Sequence, residues 1–195
     1  MEYSLRIEGT PATVPGGTGI LLVHPSTGET DRIDTEFLKT DTDRFLVVST
    51  RTTAREVRQK LEHYEVEESR AVILDTLSIE RGYSRRSSET VHYVAAPDDV
   101  DGMVEQVRRF LESHDGKLRI SFDSLTELAY YADEDAALSA ADRILALLEE
   151  HDAVGLFHLA EEVHDEAVVA AFRDRFDGVI DLDESGTVTV QFPEE

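Results

Sequence analysis

Candidates for chemistry fall in four places along this sequence. The stretch His24-Pro25-Ser26-Thr27-Gly28-Glu29-Thr30 joins an apolar run to a helix-like segment. A loop in that context, at the start of a helix-like segment, offers backbone N–H groups to an anion. Asp123 closes the run Leu-Arg-Ile-Ser-Phe-Asp, where a carboxylate can support a metal's water shell. The same position, just before Ser124, also suits the capping region of a helix, and both readings stay open. His158, Glu161, Glu162, His164 and Asp165 crowd together, and Glu161 and His164 share a helix face. They lack an H-E-x-x-H pattern, and carboxylates are scattered over the whole chain, so a solvated helix start is the preferred reading and no metal site is expected. Arg81, Arg85 and Arg86 form the one dense basic cluster, fit to dock an anion or an acidic protein partner if they are more than a solvated loop. Ser78, Ser84, Ser87 and Ser88 have no G-x-S-x-G elbow beside them, which argues against a serine hydrolase.

These groups need a scaffold, and the hydrophobic pattern supplies an alternating one. After a turn-rich lead-in over residues 1–17, short apolar runs at 19–23, 44–49, 70–75, 91–96, 118–123 and 153–159 read as strands. Amphipathic segments at 27–39, 52–64, 97–114, 134–150 and 165–176 read as helices, with Thr52 or Thr53 capping the second and Glu56 in its first turn. Residues 76–90 show no period. Residues 178–182 and 187–192 flank Asp183-Glu184-Ser185-Gly186 as a hairpin. Repeated strand–helix units predict an α/β fold: three layers, a mostly parallel sheet with helices on both faces, ending in an antiparallel hairpin, within one domain over 1–195. Tyr130-Tyr131 is expected in the core or at a helix cap.

Charge sets the outer limits. Against 19 basic residues stand 42 acidic ones, a formal net charge of −23 in 195 residues, and only Lys39, Lys60 and Lys117 are lysines. The acidic residues are spread over every element, which fits adaptation to concentrated salt, where a Debye length of about 3 Å at 1 M screens self-repulsion. Such a surface is a poor partner for nucleic acid. There is no cysteine, so disulfides and thiolate chemistry are excluded. No apolar run approaches the roughly 20 residues of a membrane span, and no leader-like segment opens the chain, so a cytoplasmic protein is expected.

Four stretches in order resemble the motifs of RecA/KaiC-like P-loop ATPase domains. The run Gly-Ile-Leu-Leu-Val leading into residues 24–30 has the position of a G-x-x-x-x-G-K-[ST] loop; Phe-Leu-Val-Val-Ser-Thr at 45–50 resembles the second strand; Ile-Ser-Phe-Asp-Ser-Leu-Thr at 120–126 resembles the Walker B strand; and Phe-Asp-Gly-Val-Ile-Asp-Leu at 176–182 resembles the strand that opens the last hairpin. Together they span about residues 14–192. The resemblance implies a RecA-like P-loop fold, with Gly28, Thr30 and Asp123 as vestigial nucleotide-side residues. It also exposes what is missing. Val23 stands at the first glycine, and Glu29 stands at the lysine, where a like charge about 4 Å from a phosphate costs about 4 kcal/mol at an effective dielectric of 20. Arg51-Thr52-Thr53 offers no general base after the second strand, and Gln191-Phe192-Pro193-Glu194 carries no cation where ring-forming relatives have a Lys-x-Arg pair. Arg32 is the only basic residue near the loop that could substitute. The expectation is therefore a non-hydrolytic pseudo-ATPase of a haloarchaeal branch, without a required cofactor, serving a regulatory or scaffolding role through a protein partner or a homo-oligomer. The alternative is a sensor that binds ATP and Mg²⁺ weakly without turnover.

Overall fold

The computed structural model describes residues 1–27, 29–83 and 86–193. The chain runs β1 (Glu2–Ser4), β2 (Thr13–Pro15), β3 (Gly19–His24), α1 (Asp31–Lys39), β4 (Arg44–Ser49), α2 (Ala54–His63), β5 (Ala71–Asp75), β6 (Val91–Tyr93), α3 (Val100–Ser113), β7 (Leu118–Asp123), α4 (Leu125–Tyr131), α5 (Glu134–Glu150), β8 (Val154–Ala160), α6 (Glu166–Arg173), β9 (Gly178–Leu182) and β10 (Val188–Gln191). Eight of these strands form one sheet in the order β10-β9-β3-β8-β7-β4-β5-β6. Every pairing in it is parallel except β9 with β10. The expected three-layer α/β fold with a terminal hairpin is the observed one.

Two apolar layers flank the sheet, and strand alternation assigns each residue to one of them. Leu21, Val23, Leu46, Val48, Ile120, Phe122, Phe157 and Leu159 face α3, α4, α5 and α6. Ile20, Leu22, Phe45, Val47, Val154 and Leu156 face α1, α2 and the β1–β2 hairpin. Both faces of the central strands are therefore dry, as a parallel sheet requires. The hairpin closes with Asp183 Oδ1 accepting from the Ser185 and Thr187 amides, each at 2.9 Å, while Gly186 takes φ +83°, a conformation that favours glycine.

The differences from expectation are local. The lead-in contains a two-stranded antiparallel sheet, because Tyr3, Leu5, Ile7 and Val14 bury against the main sheet. The Tyr3 hydroxyl accepts from the Leu118 amide (3.1 Å) and donates to the Asp152 carbonyl (2.9 Å), which ties that hairpin to the start of β7. Helix α1 begins only at Asp31, so more of the preceding loop is non-helical than its periodicity suggested. Helix α4 begins at the capping region expected before Ser124, although its extent was not expected; Ser124 caps it by accepting from the Glu127 amide. Tyr130, at its far end, is 80% exposed and belongs to neither core nor cap. Among the described residues no helix is long and apolar enough to cross a membrane.

Candidate functional site

Strand β7 alternates in an unusual way for a central strand. Leu118, Ile120 and Phe122 point to one dry layer, whereas Arg119, Ser121 and Asp123, all buried, point to the other. Burying a polar face is costly unless each group is paired. For Ser121 and Asp123 the pairing comes from α1, β8 and the segment that follows β4, with α2 joining through Asp34, and it produces a connected polar network. Arg119 donates from Nη2 to the Ser4 carbonyl and leaves Nε and Nη1 unpartnered.

Asp123 ends β7 opposite Ser49 of β4. Arg51, just past β4, clamps it with two parallel hydrogen bonds, Nε to Oδ1 at 2.8 Å and Nη2 to Oδ2 at 3.0 Å. Burial alone would push the Asp123 carboxyl up, but the His158 ring and the Arg51 guanidinium beside it hold it below the usual carboxylate range. Asp123 is thus not a free carboxylate, and the helix-capping region expected at this position is present, with Ser124 as the cap itself. Thr50 stitches the same corner, its hydroxyl accepting from the Ser124 amide at 2.7 Å and its own amide donating to the Asp123 carbonyl at 2.8 Å.

Deeper in the same layer, Asp34 of α1 is fully buried. It accepts from Lys60 Nζ at 2.9 Å, from the Ser121 hydroxyl, and from His158 Nε2 at 3.0 Å. Its burial opposes ionisation, yet Lys60 and His158 override that penalty and keep its carboxyl far below the ordinary value. Lys60 is desolvated too, and the neighbouring Asp34 and Asp123 charges hold its ammonium protonated, with a pKa above the lysine value. His24, the last residue of β3, packs edge-on to His158 with ring centroids 5.6 Å apart. Its Nδ1 lies 2.8 Å from the Pro25 carbonyl, which assigns the Nδ1–H tautomer and leaves Nε2 buried without a partner. Burial, then the adjacent His158, push the His24 pKa down to about 4.

The loop after β3 is closed from outside by a carboxylate of the chain itself. The Ser26 amide donates to Glu162 Oε1 at 2.6 Å, and the Ser26 hydroxyl donates to the same oxygen. Those hydrogen bonds hold the Glu162 carboxyl below its usual range. Glu162 lies in a short 3-10 turn, Glu161–Val163, directly after β8, the strand that separates β3 from β7.

The residues singled out by sequence are therefore distributed as follows. Thr30 is the N-cap of α1, buried, without a side-chain capping bond. Gly28 lies outside the described residues. Glu29 and Arg32 are both exposed, so neither enters the layer beneath the loop. Arg81 and Arg86 are exposed, and Arg85 lies outside the described residues. The His158–Asp165 group diverges: His158 turns to Asp34, Glu162 to Ser26, and His164 to Glu134 (2.9 Å) and the Thr126 hydroxyl (3.0 Å). No group of three or more potential metal ligands forms among the described residues. Asp34, Lys60 and the clamping role of Arg51 were missed. Their signal was the Arg-Ser-Asp alternation of β7, since a polar stripe on a central strand demands partners.

In this arrangement the cations and anions are spent on each other. No curated protein matches the chain. A KaiC-like protein from the hyperthermophilic archaeon Pyrococcus horikoshii superposes with a TM-score of 0.69 at 14% identity, covering 100% of this chain and 89% of that one. A second protein from the same organism superposes with a TM-score of 0.66 at 8% identity, covering 93% and 89%. At such identities the likeness speaks to the fold, which is RecA/KaiC-like. The model of a family of unknown function, DUF7090, matches residues 1–192, and the chain belongs to that family.

Proposed function

We propose that this protein is a non-hydrolytic member of the KaiC-like group, a pseudo-ATPase that acts as a regulatory or scaffolding protein through contacts with another protein. The observation that carries the reading is the Arg51 clamp on Asp123. A hydrolytic site needs that carboxylate free to hold the Mg²⁺ shell, and a carboxylate engaged twice by a guanidinium is already neutralised. Three further features agree with it. Glu162 takes the donors of Ser26 that an anion would use. The exposed Glu29 adds negative charge at the loop where phosphates would arrive. Arg51, Thr52 and Thr53 after β4 carry no carboxylate, and Asp75 at the end of β5 is held by the Ala54, Leu77 and Ser78 amides and the Ser78 hydroxyl.

The same reading takes the acidic surface as adaptation to a salt-rich, haloarchaeal cytoplasm, and the exposed arginines of the segment after β5 as one place where an acidic partner docks. Titration of Mg-ATP into the protein in multimolar KCl is expected to give neither heat nor a shift in melting temperature. Saturable binding without phosphate release would instead favour a nucleotide sensor built on Gly28, Thr30 and Asp123. Replacement of Arg81, Arg85 and Arg86 by Ala is expected to weaken a purified partner's binding; unchanged affinity would remove that segment from the interface.

A further inference from the structure

On the other side of α2 from the polar network, a cavity of about 940 Å³ opens between α2, the end of β5 and β6. That volume lies within the roughly 300–1,000 Å³ of small-molecule sites. Its charged lining is unevenly committed. Asp75, buried at the end of β5, accepts from three amides and the Ser78 hydroxyl and has nothing left for a ligand. Glu56 folds back on Thr53, accepting from its amide at 2.7 Å and its hydroxyl at 2.9 Å. Arg58 and Glu68 pair with each other at 3.0 Å. Arg55 and Arg81 also line the cavity, and neither guanidinium has an ion-pair or hydrogen-bond partner among the described residues. Arg81 is near enough to Glu56 to help hold its carboxyl low, but the two are not bonded. Arg55 on α2 and Arg81 after β5 thus bring two uncommitted guanidinium groups to the cavity in a chain of net charge −23, and Glu62 is the one lining carboxylate that likewise has no ion pair among the described residues. Tyr83 and Tyr93 supply aromatic surface in the same cavity.

We propose that this cavity binds a small anion carrying a planar ring, its phosphate or carboxylate held by Arg55 and Arg81 and its ring laid against Tyr93. Arginine forks match both oxyanions, and the ring faces give stacking area that an inorganic ion cannot use. The site is separate from the loop after β3 and stands whether or not that loop binds nucleotide.

Calorimetric titrations at constant KCl with phenyl phosphate, phthalate and inorganic phosphate test it. At least one aromatic anion is expected to bind one-to-one, more tightly than inorganic phosphate, and whichever of the two binds better identifies the headgroup. Arg55→Gln and Arg81→Gln are each expected to weaken that binding about tenfold, the scale of one charge-assisted hydrogen bond, without moving the melting temperature. Tyr93→Leu is expected to narrow the gap between the aromatic anion and inorganic phosphate. Thr30→Ala is expected to leave binding unchanged. Absence of saturable binding by both aromatic anions, equal affinity of the double arginine variant, or loss of binding in Thr30→Ala would each overturn the proposal.

Discussion

Replacing Lys60 by methionine probes the buried charge network most sharply. Methionine keeps most of the volume and the apolar stem, so what changes is the ammonium that lies 2.9 Å from Asp34 Oδ2. At that distance the gross attraction is about 6 kcal/mol at an effective dielectric of 20. Much of it offsets the desolvation of the two groups, but that cost stays when only one partner is removed. Asp34 has 0% exposure and cannot turn to water. The expected loss is therefore the roughly 3–5 kcal/mol typical of a buried pair broken on one side. Asp34→Asn, which keeps an acceptor for Ser121 and His158, removes the charge that Lys60→Met strands. The double variant is expected to recover at least about 1.5 kcal/mol relative to the sum of the single losses. Urea denaturation at constant multimolar KCl measures all three, since urea leaves ionic strength unchanged. A Lys60→Met loss below about 1 kcal/mol, or strict additivity of the two single changes, would refute the coupling that the geometry implies.

Three other expectations follow from the same chemistry. His24 has a folded-state pKa of about 4 against an unfolded value of 6.5, so the unfolded chain binds its proton first on acidification. Its contribution, about 3 kcal/mol, is fully present above pH 6.5 and is lost as the pH falls to about 4; His24→Leu should flatten the stability–pH curve across that window. Arg119 is buried between the Tyr3 and Phe37 rings, with Nε and Nη1 unpartnered and its pKa pushed down to about 10. Arg119→Met should therefore hold or raise the urea midpoint, where an ordinary core truncation lowers it, because it removes donors that each cost about 1–3 kcal/mol when left unmade. Dilution from 2 M to 0.1 M KCl lengthens the Debye length to about 10 Å and should lower the melting temperature; an unchanged or higher melting temperature would contradict screening of the acidic surface.

The layers and the mostly parallel sheet were legible because apolar runs of five to seven residues, separated by amphipathic segments, have few other solutions; the spatial order of the strands was not. The β1–β2 hairpin was not, since Tyr3 and Val14 are isolated apolar residues whose burial depends on β7 and the Asp152 carbonyl far along the chain. Asp123 could be placed at a strand end from its neighbours alone. Its partner could not, because Arg51 reaches it only through the parallel pairing of β4 with β7, a contact between residues 72 positions apart. Arg51 was read as a missing base when its larger effect is to occupy the carboxylate. Asp34 shows the same limit: on the helix pattern it is one more acidic residue of a chain with 42 of them, and only the approach of α1 to Ser121 and His158 makes it the centre of a network. In so acidic a sequence the buried, paired carboxylates are masked by the solvating ones.

The central claim is that a nucleotide-type fold has had its chemistry closed off from within, by Arg51 on Asp123 and Glu162 on the loop. Phosphate release from Mg-ATP by the wild-type protein, measured in multimolar KCl beside Thr30→Ala, tests it most directly. The account predicts that the two proteins are indistinguishable from buffer. Steady release by the wild type that Thr30→Ala abolishes would contradict it.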